Sequence, residues 1–316
     1  MPLDFSEILV TGGAGFIGSH IVDRLISEDT KVRVLDNLST GEKKNIIQHI
    51  TKKKCQFIEG DIQDFETVKK ATKGVDAVIH QAALVSVTRS VEDPILSNNI
   101  NVKGSLNLLK AALDQNVKRF VYASSCAVYG DTKKLPNKEN TPAKPLSPYA
   151  ADKLAVEYYA KVFHELYGLE TVCLRYFNVY GPRQKPGQYS GVISVFVNNL
   201  LKNKAPTIYG DGEQKRDFIN VKDIVAANIL ALTHPSAAGD VFNVSTGQPV
   251  TINELVETIQ KITATTELKP TYTNPRTGDI KYSYADITKI QKKLGFKPKI
   301  GLEEGLTELV NWSKNQ

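Results

Sequence analysis

The chain has 316 residues, 41% of them hydrophobic and 23% charged, with a formal net charge of +6, which is enough to bury a substantial core and carry a second lobe. No stretch approaches the roughly 18 apolar residues of a membrane span, and the lysines are too dispersed to demand nucleic acid, so neither partner is expected. The opening M-P-L-D-F-S-E lacks the basic start and apolar run of a signal peptide and points to the cytoplasm; three widely spaced cysteines and five histidines without metal-ligand spacing predict no disulfide framework and no metal.

The first predicted strand, E-I-L-V-T (7–11), runs into T-G-G-A-G-F-I-G (11–18) and a helix over 15–28. Gly12, Gly15 and Gly18 recur at three-residue intervals. A glycine turn between a strand and a helix lets backbone amides approach a pyrophosphate, so the context points to a dinucleotide, with Phe16 and Ile17 in the same turn. The second strand, V-R-V-L-D (32–36), ends in Asp36, followed by Asn37. An acid at this distance accepts hydrogen bonds from the adenosine ribose and repels a 2′-phosphate, which favours NAD over NADP. After the third strand, C-Q-F-I-E (55–59), Asp61 and Ile62 can reach the adenine edge, an ordinary loop acid being an equal reading.

A helix over 64–72 precedes the strand A-V-I-H (77–80), whose H-Q-A-A turn carries Gln81, Ala82 and Ala83. Ser86 and Arg89 follow, placed for nicotinamide ribose and substrate, although Arg89 can equally pair with Glu92 or Asp93. A helix over 98–115 carries Asn101 and an apolar face of Val102, Leu106 and Leu109 that can face a partner subunit. The strand R-F-V-Y-A (119–123) ends at Ser124 and Ser125, on the carboxyl edge where ligands bind in such sheets.

The helix over 149–167 opens on S-P-Y-A-A-D-K (147–153), placing Tyr149 and Lys153 on one face. An ammonium beside a phenol is expected to favour the phenolate, each unit of depression requiring about 1.36 kcal/mol; alone, that spacing occurs on many solvated helices. A strand over 171–176 ends in Tyr176. Turn chemistry then dominates, with a helix over 191–203 that includes Val192 and a loop over 209–218. A helix over 222–233 and the strand D-V-F-N-V (240–244) return to the sheet, and the remainder from Thr251 reads as helices with one short strand. The expected fold is α/β: a Rossmann doubly wound parallel sheet (1–177 plus about 219–247) with a smaller, interleaved C-terminal substrate lobe (about 178–218 plus 248–316).

Through T-G-G-A-G-F-I-G, A-S-S-C-A-V-Y-G (123–130) and the Tyr149/Lys153 pair, the chain resembles the extended short-chain dehydrogenase/reductase superfamily. Through L-R-Y-F-N-V-Y-G-P-R (174–183), G-D-G-E-Q-K-R-D-F (210–218) and R-T-G-D (276–279) it is most similar to the nucleotide-sugar 4-epimerases. The resemblance implies catalysis by Tyr149, Lys153 and Ser125, with Ser124 as a substrate contact. It implies bound NAD along the cofactor residues above, including Asn101 and Tyr176, and a UDP-sugar held by Asn178, Val192, Tyr209, Arg216, Arg276 and Asp279. It also implies a homodimer through a four-helix bundle. Ser283 stands where a bulky Tyr would restrict such a pocket to glucose and galactose, so N-acetylated sugars are expected to fit. Cys126 and Ala127 replace the Asp-Glu pair of the similar 4,6-dehydratases, which argues against dehydration; a decarboxylase is the weaker alternative.

Overall fold

The computed structural model describes residues 5–185, 191–275 and 280–316. In chain order its N-terminal part contains β1 (Glu7–Thr11), α1 (Phe16–Ser27), β2 (Lys31–Asp36), α2 (Ile47–Thr51), β3 (Cys55–Glu59), α3 (Phe65–Thr72) and β4 (Ala77–His80). α4 (Val87–Glu92), α5 (Pro94–Asn98), α6 (Gly104–Asp114), β5 (Arg119–Ser125), α7 (Pro148–Tyr167) and β6 (Glu170–Tyr176) follow. The expected helix over 98–115 is therefore interrupted, because a π-helical turn at Asn99–Lys103 joins α5 to α6.

The second part contains β7 (Asn178–Tyr180), α8 (Val192–Leu201), β8 (Thr207–Tyr209), β9 (Lys215–Arg216), β10 (Phe218–Asn220), α9 (Val221–Thr233), β11 (Val241–Val244) and β12 (Val250–Thr251). It closes with α10 (Ile252–Thr263), β13 (Thr271–Thr273), β14 (Tyr282–Ser283), α11 (Thr288–Leu294) and α12 (Leu302–Lys314). Seven strands form one sheet in the order β11-β6-β5-β4-β1-β2-β3, every neighbouring pair parallel. The order reverses between β1 and β4, and the crevice at the carboxyl ends of those strands is where such sheets bind ligands.

Strand alternation explains why both sheet faces are covered. Ile8, Val10, Val34, Ile79 and Val121 join one buried cluster with α1 and α9, while Leu9, Leu35, Val78 and Phe120 join another with α3, α6 and α7. A third cluster unites α8, α10 and α12 around Phe196, Leu255, Ile259 and Leu309. Ala285, Ile287, Ile290, Leu294 and Phe296 pack into the first cluster beside β11, because α11 buries its apolar stripe on the edge of the main sheet. In α6 and the turn before it, Leu109 is fully buried, while Val102 and Leu106 are half-buried and pack against the same inner cluster. Among the described residues no helix is long and apolar enough to cross a membrane.

Candidate active site

The glycine turn is shaped by close backbone approach. Gly12 has φ +67, and a Cβ there would stand 2.7 Å from the Ala82 amide nitrogen. A Cβ on Gly18 would lie 2.1 Å from the Gly12 carbonyl oxygen, so only glycine lets α1 start this near β1. Gly15 is the residue before α1, whose first residues are Phe16 and Ile17. Asp36 Oδ2 accepts the Ala14 amide at 2.9 Å and Oδ1 accepts the Leu38 amide at 2.8 Å, which ties the β2 terminus to the turn. Asn37 Nδ2 donates to Asp61 Oδ2 at 2.8 Å, joining the ends of β2 and β3. Ile62 packs its side chain where a Gly104 Cβ would otherwise lie, and its carbonyl accepts from Asn107. A groove that a Cβ would fill, beside a carboxylate at the β2 end, fits a dinucleotide lacking a 2′-phosphate.

Beyond β4, Gln81 Nε2 donates to the Tyr176 hydroxyl at 3.0 Å, and Asn228, which sequence reasoning missed, bonds that same hydroxyl from α9. Asn101 is buried and grips the Leu84 backbone with both its oxygen and its nitrogen; its side chain fixes the loop containing Ala83. Ser86 caps α4 by accepting the Arg89 amide at 3.1 Å. Arg89 is exposed and forms no ion pair with Glu92 or Asp93; Asp93 instead caps α5 through the Leu96 amide.

Ser147 caps α7 and Pro148 occupies its first turn, which starts the helix where Tyr149 meets the end of β5. Ser125 Oγ accepts the Ala127 amide at 3.2 Å, and the same hydroxyl acts on the Tyr149 phenol to lower its pKa. Lys153 Nζ donates to the Ala123 carbonyl at 2.7 Å and lies 5.8 Å from the Tyr149 ring centroid. The expected depression of the Tyr149 pKa is corrected. Burial pushes the phenol up to about 12, opposed by the Ser125 hydroxyl, and burial lowers Lys153 to about 8 against the raising influence of Asp152 and Glu157. Desolvation penalises the charged form of each, so the polypeptide alone favours a neutral phenol.

The Ser124 hydroxyl donates to Glu157 Oε1 inside the protein and is nearly inaccessible. Glu157 pairs with Arg175 through Nε at 2.9 Å and Nη2 at 2.6 Å. Glu157 follows Lys153 by four residues, the one signal by which the sequence could have flagged it.

From the second lobe, β14 runs beside β9 in register Ser283↔Arg216. Burial pushes the Cys126 thiol up to about 11, opposed by the Ser283 side chain and the Arg216 charge. Ser125, Cys126, Tyr149, Ser283 and Arg216 thus meet where the two lobes face each other. Asn178 Nδ2 donates to the Asp217 carbonyl at 3.1 Å. Asp217, another residue sequence reasoning missed, is fully buried and accepts from Thr246, Gly247 and Ala285. Val192 opens α8 at the rim of the third cluster, and Tyr209 ends β8 partly exposed. Arg276 and Asp279 lie outside the described residues. His80 is a packed imidazole between Thr11 and Ser105, lowered to about 3 by burial. Among the described residues no cluster of three or more His, Cys, Asp or Glu could hold a metal.

The sequence profile of the NAD dependent epimerase/dehydratase family matches residues 8–245. A UDP-glucose 4-epimerase of Mycolicibacterium smegmatis is 38% identical over 310 residues, covering 98% of each chain. The solved UDP-N-acetylglucosamine 4-epimerase of Methanobrevibacter ruminantium, in complex with UDP-N-acetylmuramic acid, superposes with TM-score 0.94 at 44% identity, covering 98% of this chain and 99% of that one. The Thermus thermophilus UDP-glucose 4-epimerase in complex with NAD gives TM-score 0.88 at 38% identity, covering 98% and 99%. The profile match runs from the first strand of the main sheet to its last, and with relatives similar along nearly their whole length the chain belongs to the NAD dependent epimerase/dehydratase family, with NAD as its cofactor.

Proposed function

We propose that this protein is a UDP-sugar 4-epimerase that interconverts UDP-GlcNAc and UDP-GalNAc, and also UDP-Glc and UDP-Gal, through a transient 4-keto sugar. The observation that carries the reading is buried Lys153, donating to the Ala123 carbonyl at the carboxyl edge of the sheet one helical turn from Tyr149, whose phenol Ser125 acts on. Bound NAD would take the hydride from carbon 4 and return it to the opposite face. The chain's own residues then have only protons to move. Tyr149 exchanges the proton of the 4-hydroxyl, Ser125 shortens its path, and Lys153, held near 8, is the group of this set that titrates closest to neutrality.

Dehydration finds no acid here, because Ala127 is inert and the Cys126 thiol is too weakly acidic at about 11. Small Ser283, close enough to act on Cys126 next to Ser125, supports a pocket with room for an N-acetyl group. Arg216, with Asn178 and Tyr209, is the candidate for the UDP moiety, an arginine fork being suited to two phosphates. A homodimer is the proposed assembly.

The test is incubation of purified protein with each of the four UDP-sugars without added NAD, the products being resolved by NMR. Epimers should form from all four, and a requirement for stoichiometric NAD would sink the reading in favour of a dehydrogenase. Ser283→Tyr should lose N-acetylhexosamine turnover while sparing UDP-Glc; equal survival of both activities defeats the gate.

A further inference from the structure

Three consecutive residues at the end of β5 meet a single face of α7. The Ala123 carbonyl accepts from Lys153 at 2.7 Å, the Ser124 hydroxyl donates to Glu157, and Ser125 acts on the Tyr149 phenol. Tyr149, Lys153 and Glu157 follow one another at helical spacings of four, so the helix face grips the strand end residue by residue. Glu157 is itself immobilised. Arg175, from the neighbouring strand β6, engages both its carboxylate oxygens, and Arg175 Nη1 donates onward to the Tyr129 hydroxyl at 2.9 Å and the Glu139 carbonyl at 3.1 Å. A bidentate buried pair of this kind has one geometry.

We propose that Glu157 is a positioning residue of the reaction: clamped by Arg175, it holds Ser124 and thereby sets Ser125 and Ala123 in register with Tyr149 and Lys153. The inference rests on the catalytic reading of Tyr149, Lys153 and Ser125 given above. Glu157 also contributes charge. The groups facing Lys153 are Asp152 and Glu157 from its own helix, Cys173 from β6, His80 from β4, and the rings of Tyr122 and Tyr149. The two carboxylates favour the ammonium, so a neutral residue 157 lets Lys153 deprotonate at lower pH.

Two variants of the full-length, NAD-loaded enzyme separate these effects. Ser124→Ala leaves the Arg175–Glu157 pair intact and should lower kcat about tenfold, with KM for the UDP-sugar and the alkaline limb of the pH profile unmoved. Glu157→Gln keeps an acceptor for Ser124 but no charge, and should move the alkaline limb of kcat down by about one pH unit. A merely structural role would lower the melting temperature and the folded fraction without moving that limb. Ser124→Ala at wild-type kcat, or Glu157→Gln with an unmoved limb, overturns the proposal; if Glu157→Gln does not fold, Ser124→Ala decides alone. Tyr149→Phe distinguishes the two levels of failure. If it stays active, the catalytic reading falls and takes the positioning role with it; if it is inactive while Ser124→Ala is normal, the positioning role alone is lost.

Discussion

Lys153 shows most directly what function demands of a single residue. It is 3% exposed, and burial takes its pKa from 10.5 to about 8. The unfolded chain therefore binds this proton more tightly than the folded one. Below pH 8 the folded state carries the full cost of a buried ammonium, on the order of 3 kcal/mol. As pH rises from about 8 towards 10.5, the folded lysine is already neutral while the unfolded one is still charged, so stability recovers through that window. Lys153→Met removes the titration. Denaturant unfolding of the cofactor-free proteins should show wild type gaining stability relative to Lys153→Met between pH 8 and 10.5, with parallel curves below pH 8. Curves parallel throughout would mean that the folded lysine keeps its ordinary affinity for the proton. The variant should also lose epimerisation, since a destabilising buried charge is retained where chemistry needs it.

At the scale of elements, the contact between β1 and α1 decides cofactor affinity. The clash facing a Gly18 side chain is with the Gly12 backbone, at 2.1 Å from its oxygen and 2.8 Å from its carbonyl carbon, and no rotamer relieves it. Gly18→Ala should tilt α1 out of the turn and weaken NAD binding at least about tenfold, read by titration of the cofactor-free protein and by the NAD retained on purification. Retention of wild-type affinity would show that the turn can yield without disturbing the cofactor groove. This part of the site was legible because glycines, a strand end and a helix start are local signals, and the seven-stranded sheet was legible for the same reason: runs such as A-V-I-H are buried at every position. What escaped were facts of register and burial. Ser124 and Ser125 are adjacent and chemically identical, yet Ser124 donates to Glu157 while Ser125, the last residue of β5, accepts the Ala127 amide and acts on Tyr149, because successive strand residues point to opposite sides. The upward shift of Tyr149 was equally invisible, since spacing reveals a neighbouring ammonium but not the lost water that outweighs it. The packing of 285–296 onto β11 depends on a long-range return of the chain that no local pattern announces.

For the whole molecule, the feature that remains is an apolar surface along α4, α5 and α7. Val87 and Val91 are exposed on α4, Ile95 on α5 is 73% exposed, and Tyr159, Val162 and Leu166 are exposed on α7, Leu166 at 71%. The α7 residues recur at spacings of three and four, so they form a stripe flanking the face that packs Val156 and Ala160 into the core. A helix apolar on two sides needs two partners, and the protein's own sheet supplies only one. Single exposed apolar side chains are ordinary, but a set on neighbouring helices is a candidate for covering by a second copy. Stacking α7 on its symmetry mate would bury the stripe in an isologous contact and complete a helical bundle, in keeping with the four-helix bundle of the 98–115 and Tyr149 helices expected from the sequence. Ile95→Glu combined with Leu166→Glu should convert a dimer into a monomer in light scattering coupled to gel filtration. Because both residues lie away from the glycine turn, NAD should stay bound in the monomer. The same α7 helix begins at Tyr149, so the monomer should lose turnover if the bundle steadies that terminus. A double variant that remains dimeric would place the interface elsewhere, and a wild-type chain that is already monomeric at micromolar concentration would leave the stripe without a second copy to cover it.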